Sequence, residues 1–185
     1  MALTIIGVFA AVVLIIAGWA VVTYNKLVRL SNMKDEAWSG MDVQLRRRFD
    51  LVPNLVETVK GYSQHEHITL QKVIEARSAI TSTSSPGARI EAENALTSTL
   101  RSLFAVAEAY PELKANTNFM KLQDELSALE GDLQLSRRYY NGSVRDFNNA
   151  IQIFPNVLIS RSLGYSESPF FQAEEEAKAP VQVKF

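Results

Sequence analysis

His65, Glu66 and His67 are the first candidates for metal or proton chemistry, because they hold both histidines of the chain. Two metal ligands on one helix face need a spacing of three or four residues, and these histidines are two apart. With no cysteine in the chain to complete a site, the pattern favours a polar helix start. An enzyme that uses His65 and Glu66 with an acquired metal is the alternative.

Other catalytic patterns are absent from the sequence. There is no P-loop, G-x-G-x-x-G or G-x-S-x-G motif. The neighbouring carboxylates Asp124 and Glu125 fall on the predicted polar face of a helix, where solvated charge is the ordinary role. Without cysteine there is no thiolate or iron–sulfur chemistry. We therefore expect no enzymatic activity and no cofactor. A net charge of −1 also lacks the basic field of nucleic-acid-binding proteins.

Arg46, Arg47 and Arg48 form a run that demands an explanation. Successive helical residues point about 100° apart, so the three side chains cannot all face solvent in a packed bundle. We expect at least one to reach inward and pair with a carboxylate. The other interpretation is that the run binds a partner or an anion.

The elements that position these residues begin with an uncharged apolar segment from Leu3 to Tyr24. A helix of that length spans roughly 30 Å, which matches the hydrocarbon core of a bilayer. Trp19 and Tyr24 lie toward one end, where aromatic rings favour the headgroup level. The segment has no preceding basic residue and no A-x-A site, so it predicts an uncleaved anchor rather than a signal peptide.

Orientation follows from the basic residues that come after the apolar segment. Lys26, Arg29 and Lys34 are expected to lie at the interface, within reach of lipid phosphates. Positive charge beside a span marks the cytoplasmic side, which places the N-terminus outside and the remaining domain in the cytoplasm. A domain on the outer side is the alternative.

Apolar residues at steps of three and four predict an all-α fold. In it, the N-terminal transmembrane helix is continuous with, or leads into, an elongated antiparallel up-down-up-down four-helix bundle. The predicted bundle helices cover 25–62, 63–81, 86–110 and 119–154, with Ser85 as an N-cap and a bend or break near Pro53. The predicted domains are the anchor (1–24), the bundle (25–155) and a membrane-proximal C-terminal tail (156–185).

The shorter middle helices can cover only the distal part of the long first and fourth helices. An uncovered apolar stripe marks an interaction surface, so we expect cover by other copies, by the tail or by lipid. The candidate oligomer seam consists of Leu27, Leu30, Val144, Phe147 and Ile151. The chain returns toward the membrane after the fourth helix, and the candidate lipid-proximal residues there are Phe154, Phe170 and Phe171.

With these residues in view, the chain resembles the bacterial LemA family. The resemblance covers nearly the whole chain and implies a single-pass membrane protein with a helical, largely four-helix soluble domain. It implies no catalytic residues, and a magnetosome-forming relative implies membrane organisation. The residues that carry it are the single N-terminal span, 38–62, His65-Glu66, Ala76-Arg77, 108–115, Asn118-Phe119, Leu122-Gln123, 137–141, Phe147-Asn148, Phe154-Pro155 and 170–185.

Together these features predict a non-enzymatic, membrane-anchored helical scaffold that self-associates and organises membrane or partner proteins. The expected location is the bacterial cytoplasmic (inner) membrane. Expected partners are the lipid bilayer, further copies of the chain and an unidentified protein, with no nucleic acid. The alternative is an adaptor that presents its distal loops, Tyr62–His67 and Tyr110–Asn118, to a membrane or cytoplasmic partner such as a protease.

Overall fold

A computed structural model describes residues 1–62, 66–83 and 85–171 of the chain. In these ranges the chain forms six α-helices and no β-strand, which confirms the predicted all-α class. The helices are α1 (Ala2–Lys60), α2 (His67–Thr81), α3 (Pro86–Ala107), α4 (Pro111–Lys114), α5 (Thr117–Gln152) and α6 (Asn156–Ser162).

Helix α1 continues from the apolar segment through Pro53 without interruption, so the alternative of a break there is wrong. Proline lacks the N–H that would bond to the carbonyl four residues earlier, which is that of Phe49. Arg77 of α2 replaces the missing donor, because its Nε donates to the Phe49 carbonyl oxygen at 3.1 Å. The Arg77 guanidinium also stacks on the Phe49 ring, 3.8 Å from its centroid.

Side-chain caps start two of the later helices. Ser85 precedes Pro86, and its hydroxyl accepts a hydrogen bond from the Ala88 N–H at 3.3 Å, as the predicted N-cap requires. At the start of α5, the side-chain oxygen of Asn116 accepts from the N–H groups of Asn118 and Phe119 at 2.9 and 3.0 Å. These bonds satisfy backbone donors that a helix start otherwise leaves open.

The chain divides into two compact units. Of the residues that the structure describes, unit 1 contains Met1–Ser39 and Arg138–Phe170, and unit 2 contains those from Gly40 to Arg137 together with Phe171. Each unit draws on both α1 and α5, and α2, α3 and α4 belong to unit 2 alone. The buried apolar side chains of unit 2 include Met41, Leu45, Val52, Leu55, Val59, Val73, Ile80, Leu96, Leu103 and Leu133.

Candidate functional site

The N-terminal third of α1 has the surface of a membrane anchor. Its apolar side chains face outward, with Phe9 and Leu14 70% and 72% exposed. In the part of the chain that the structure describes, α1 is the one helix long and apolar enough to cross a membrane. Trp19 is half-buried and Tyr24 is exposed at the end of this segment, and the predicted interfacial residues Lys26 and Arg29 are exposed just beyond it.

The candidate oligomer seam forms the core of unit 1. Leu27, Phe147, Ala150 and Ile151 are at most 6% exposed, and they pack together with Leu30, Ile159 and Tyr165. Val144 is also fully buried. Because Ile159 and Tyr165 belong to the C-terminal tail, the cover is supplied by the chain itself. The seam is therefore not an open surface, and of the three kinds of cover expected for it, by other copies, by the tail or by lipid, the structure shows cover by the tail.

Residues 163–170, which we call the strap, are held against α5 by side-chain hydrogen bonds. The Asn148 amide donates to the Ser168 carbonyl at 2.9 Å and accepts from the Ser168 N–H at 2.9 Å. The Tyr140 hydroxyl donates to the Pro169 carbonyl at 2.9 Å. Burial raises the pKa of Tyr140, and the nearby Asp35 carboxylate raises it further. The tyrosine therefore stays a hydrogen-bond donor at every physiological pH.

A turn at the start of the strap lets the chain fold back over this core. Gly164 has a φ of 73°, a left-handed conformation that glycine adopts without a steric penalty. The Tyr165 N–H then bonds to the Ser160 carbonyl, and the Tyr165 ring meets Phe147 edge-on at 5.4 Å. Lys34, predicted at the interface, is partly buried with its ammonium 4.7 Å from the centre of the same Phe147 ring.

The turn between α5 and α6 exposes large apolar side chains. Ile153, Phe154 and Leu158 are 57%, 76% and 60% exposed. Of the residues predicted to be lipid-proximal, Phe154 and Phe170 are thus open to the surroundings. Phe171 is different: it is 3% exposed and its ring lies 4.5 Å from the Arg137 guanidinium. Contact with Arg137, rather than with lipid, explains its burial.

Arg48 is the member of the arginine run that points inward. It is 1% exposed, and its guanidinium donates to the Glu93 carboxylate at 2.5 Å, to the Thr97 hydroxyl at 2.7 Å and to Glu130 at 3.4 Å. Glu93 is completely buried and receives a second bond, from Arg89 at 3.0 Å. A buried charge needs such partners, because neither ion can keep its hydration shell inside the protein.

Arg46 and Arg47 differ from Arg48 in both exposure and role. Arg46 is exposed and pairs with Asp42, one turn earlier on α1, at 3.1 Å. Arg47 is exposed as well. Surface ion pairs of this kind contribute only about 0.2–1 kcal/mol to the free energy of unfolding. The run therefore combines one buried structural cation with two surface cations. Its inward partner, Glu93, has a sequence signal: it sits in the apolar stripe of α3, between Ile90 and Leu96.

The two predicted distal loops meet through side-chain hydrogen bonds. The Asn116 amide donates to the Tyr62 hydroxyl at 2.8 Å, and the Tyr110 hydroxyl donates to the Glu66 carboxylate at 3.4 Å. Desolvation and the charge of Glu66 raise the pKa of Tyr110. His65 lies outside the described residues, and among those described no group of three or more acidic, histidine or cysteine side chains could hold a metal ion.

These features define a class: an all-helical protein with an N-terminal apolar helix of membrane-spanning length. The chain belongs to the LemA family, whose family model matches residues 37–185. It is 27% identical to Protein LemA of Metamycoplasma hominis, covering 85% of this chain and 72% of the relative. It is 22% identical to the magnetosome proteins MamQ 1 and MamQ 2 of Paramagnetospirillum magneticum, covering 97% of this chain and 75% of each relative.

Proposed function

We propose that the chain is a non-enzymatic, membrane-anchored helical scaffold that self-associates and organises membrane or partner proteins. The observation that carries this proposal is that unit 1 contains both the anchor and a second exposed apolar surface. Ile153, Phe154 and Leu158 project from the same compact unit as the apolar helix. Exposed apolar groups gathered in this way favour insertion into the lipid interface over contact with water. The names of the two magnetosome relatives support a membrane role.

Self-association is assigned to the apolar helix, because the predicted seam is occupied by the chain itself. Gly7, Ala11 and Gly18 are four and seven residues apart and share one face of α1. Small residues at such spacing let two helix backbones approach closely within a bilayer. A Cβ added at Gly7 or Gly18 would meet nothing within 4 Å, so this face is open.

In the proposed arrangement the helices of residues 25–155 form an up-down-up-down bundle, with residues 1–24 as anchor and 156–185 as a membrane-proximal tail. The chain lies in the bacterial cytoplasmic membrane with its N-terminus outside and its bundle in the cytoplasm. Its partners are the bilayer, copies of itself and an unidentified protein. It uses no cofactor and binds no nucleic acid.

The particle mass of the full-length protein in native nanodiscs tests self-association. Gly7→Leu should reduce the mass to that of a monomer, because the larger side chain separates the two backbones. Ala20→Leu is the matched control: it lies nine residues from Ala11, about two and a half turns, and so on the opposite side of the helix. A monomeric wild-type protein, or equal masses for both variants and wild type, would contradict the proposal.

A second candidate function is the adaptor, and one observation favours it. The hydrogen bonds of Tyr62 with Asn116 and of Tyr110 with Glu66 join the two distal loops into one surface within unit 2. Photo-cross-linking from Lys114, which is exposed beside this surface, should then capture a different protein in cells. Recovery of self-adducts alone would exclude the adaptor and leave the scaffold.

A further inference from the structure

The contacts inside unit 1 fix which part of α5 lies beside the end of the apolar segment. Helices α1 and α5 run antiparallel there, because residues earlier on α1 meet residues later on α5. The pairs brought together are Trp38 with Tyr140, Lys34 with Phe147, and Leu27 with Ile151. Phe154 follows Ile151 by three residues, and Tyr24 precedes Leu27 by three. The turn after α5 therefore lies at the level of Tyr24, where the apolar segment ends.

The turn between α5 and α6 presents an apolar layer at this level, which consists of Ile153, Phe154 and Leu158. All three side chains are more than half exposed. The Leu158 N–H bonds to the Pro155 carbonyl at 3.1 Å, which holds the start of α6 against the turn. Because Tyr24 has the aromatic ring expected at the headgroup level, the apolar layer faces the same boundary between lipid and water.

Arg161 is held close to the apolar layer by the packing of α6. The hydroxyl of its neighbour Ser160 donates to the Ile151 carbonyl oxygen at 2.7 Å. Ile159 packs against the core cluster that contains both Ile151 and Leu27. The end of α6 therefore lies at the level of Leu27, and the Arg161 side chain is exposed there.

Two basic residues of α1 share this level with Arg161, and the three form what we call the basic layer. Lys26 and Arg29 follow Tyr24 by two and five residues, which is about 3 and 7.5 Å along the helix. The headgroup region on each side of a bilayer is about 5–8 Å thick. The basic layer therefore coincides with the headgroups when Tyr24 marks the edge of the hydrocarbon core.

The basic layer is not neutralised by the described part of the chain. In that part of unit 1, lysine and arginine outnumber aspartate and glutamate six to four, so positive charge is in surplus. The ion pairs formed there are Lys34 with Asp35 and Arg145 with Asp146. Among the described residues, no ion pair engages Lys26, Arg29 or Arg161. Basic side chains next to a membrane attract anionic lipids.

We propose that the turn between α5 and α6 is a binding site for anionic phospholipids, with the apolar layer in the lipid interface and Arg161 on the headgroup. This inference rests on the proposed membrane anchoring, and it adds the lipid class and the residue that selects it. Apolar groups bordered by cations are the pattern by which interfacial segments bind anionic membranes. Arginine suits the role because its planar guanidinium binds a phosphate through two hydrogen bonds.

Spin-label accessibility tests insertion in the full-length protein, which has no native cysteine. Leu158→Cys carries the nitroxide, in vesicles made of equal amounts of phosphatidylcholine and phosphatidylglycerol. Tyr139→Cys is the matched control, because Tyr139 is 55% exposed on α5 in unit 1, thirteen residues before the helix ends at Gln152. That separation is about 20 Å along the helix.

The label at residue 158 should collide more often with oxygen, which concentrates in lipid, than with a water-soluble nickel chelate. The control label should show the opposite preference. A residue 158 label that behaves like the control would overturn the proposal. A label shielded from both reagents would overturn it as well, since protein rather than lipid would then cover the turn.

The lipid class is tested by the apparent Kd of the full-length protein for phosphatidylglycerol, measured by native mass spectrometry in a mild non-ionic detergent. Arg161→Gln should weaken this binding by about fivefold, as expected for the loss of one basic residue beside an anionic headgroup. Phosphatidylcholine binding should stay unchanged. Arg138→Gln is the control, because Arg138 is exposed in unit 1 about 21 Å before the end of α5, more than two Debye lengths at physiological salt. Equal Kd values for the two variants would refute the role of Arg161.

A label in the anchor, at Leu14→Cys, separates this inference from the proposed function. A residue 14 label in lipid with a residue 158 label in water would sink the lipid site and leave the anchor intact. Both labels in water would sink the anchoring and the site together. A monomeric protein in nanodiscs with both labels in lipid would contradict self-association alone and support the lipid site.

Discussion

Arg77 is expected to stabilise unit 2 mainly by replacing the hydrogen-bond donor that Pro53 lacks. Its guanidinium donates to the Phe49 carbonyl, which has lost its helical N–H partner to the proline. A hydrogen bond from a charged donor contributes about 1.5–3 kcal/mol, and a partly exposed cation–π contact contributes about 0.5–1 kcal/mol. Arg77 is only partly buried, so we take the low end of each range. Arg77→Ala should therefore lower the free energy of unfolding by about 2 kcal/mol.

The assay is urea unfolding of the detergent-solubilised protein, followed by circular dichroism at the helical band. Repeating Arg77→Ala in a Pro53→Ala background, where residue 53 again has an N–H for the Phe49 carbonyl, separates the hydrogen bond from the ring contact. Only the ring contact is then lost, so the cost should fall to about 1 kcal/mol or less. Arg47→Ala, on the exposed side of α1, is the control and should change stability by less than about 0.5 kcal/mol.

The result that would refute this reasoning is an equal cost of Arg77→Ala in both backgrounds, within about 0.5 kcal/mol. Arg77 would then act through its ring contact or its charge alone. The proline in α1 would need a different explanation for how its unpaired carbonyl is satisfied.

Four further predictions concern Arg48, Phe147, Tyr140 and the membrane orientation. Arg48→Ala should lower the free energy of unfolding by about 3 kcal/mol, the low end of the cost of breaking a buried ion pair, because the buried Glu93 carboxylate then keeps only its bond from Arg89. Urea unfolding measures this, and a loss under about 1 kcal/mol would contradict it. Phe147→Asp should open unit 1 to proteolysis without reducing the particle mass in nanodiscs, and a smaller particle that resists protease would contradict the internal cover. Burial raises the pKa of Tyr140 in the folded state. The protonated tyrosine therefore contributes fully to stability below a pH of about 10, and this contribution is lost as the pH rises through the higher pKa of the folded state. In a pH series of unfolding midpoints, Tyr140→Phe should remove this loss of stability at alkaline pH. A single cysteine at the exposed Lys72 should react with a membrane-impermeant maleimide only after spheroplasts are lysed, and labelling of intact spheroplasts would place the bundle outside.

Local sequence patterns were sufficient to predict the helical class, the apolar segment and the Ser85 cap, because each depends on residues close together in sequence. The predicted break at Pro53 was wrong. The Phe49 carbonyl, which the proline leaves without a helical partner, bonds instead to the side chain of Arg77, 24 positions after the proline on another helix. Rules that use only neighbouring residues cannot include such a partner. The three-arginine run predicted that one member must point inward, since helical geometry alone requires it. Which carboxylate it meets depends on tertiary packing.

The burial of the candidate oligomer seam also depends on residues far apart in sequence. The apolar residues of the seam were recognisable from their spacing, but the sequence left open whether other copies, the tail or lipid would cover them. The deciding features are the Gly164 turn and the bonds from Asn148 and Tyr140 to the strap. Each feature depends on one residue, and the role of that residue can be recognised only in the folded chain, where the strap lies against α5. Asn148 did carry a signal, as a polar residue directly after Phe147 within an apolar stripe.

The composition of unit 1 has a consequence for biosynthesis. Its first segment ends at Ser39 and its second begins at Arg138, so 98 residues, 40–137, separate the two halves. Phe147, the first α5 residue of this core, comes 120 residues after Leu27, so at about 5–20 residues per second roughly 6–24 seconds pass between the synthesis of the two. The core of unit 1 is thus completed only after residues 40–137 have been made. Until the strap closes over it, every nascent chain displays an apolar stripe next to its anchor, where neighbouring nascent chains or a chaperone can reach it.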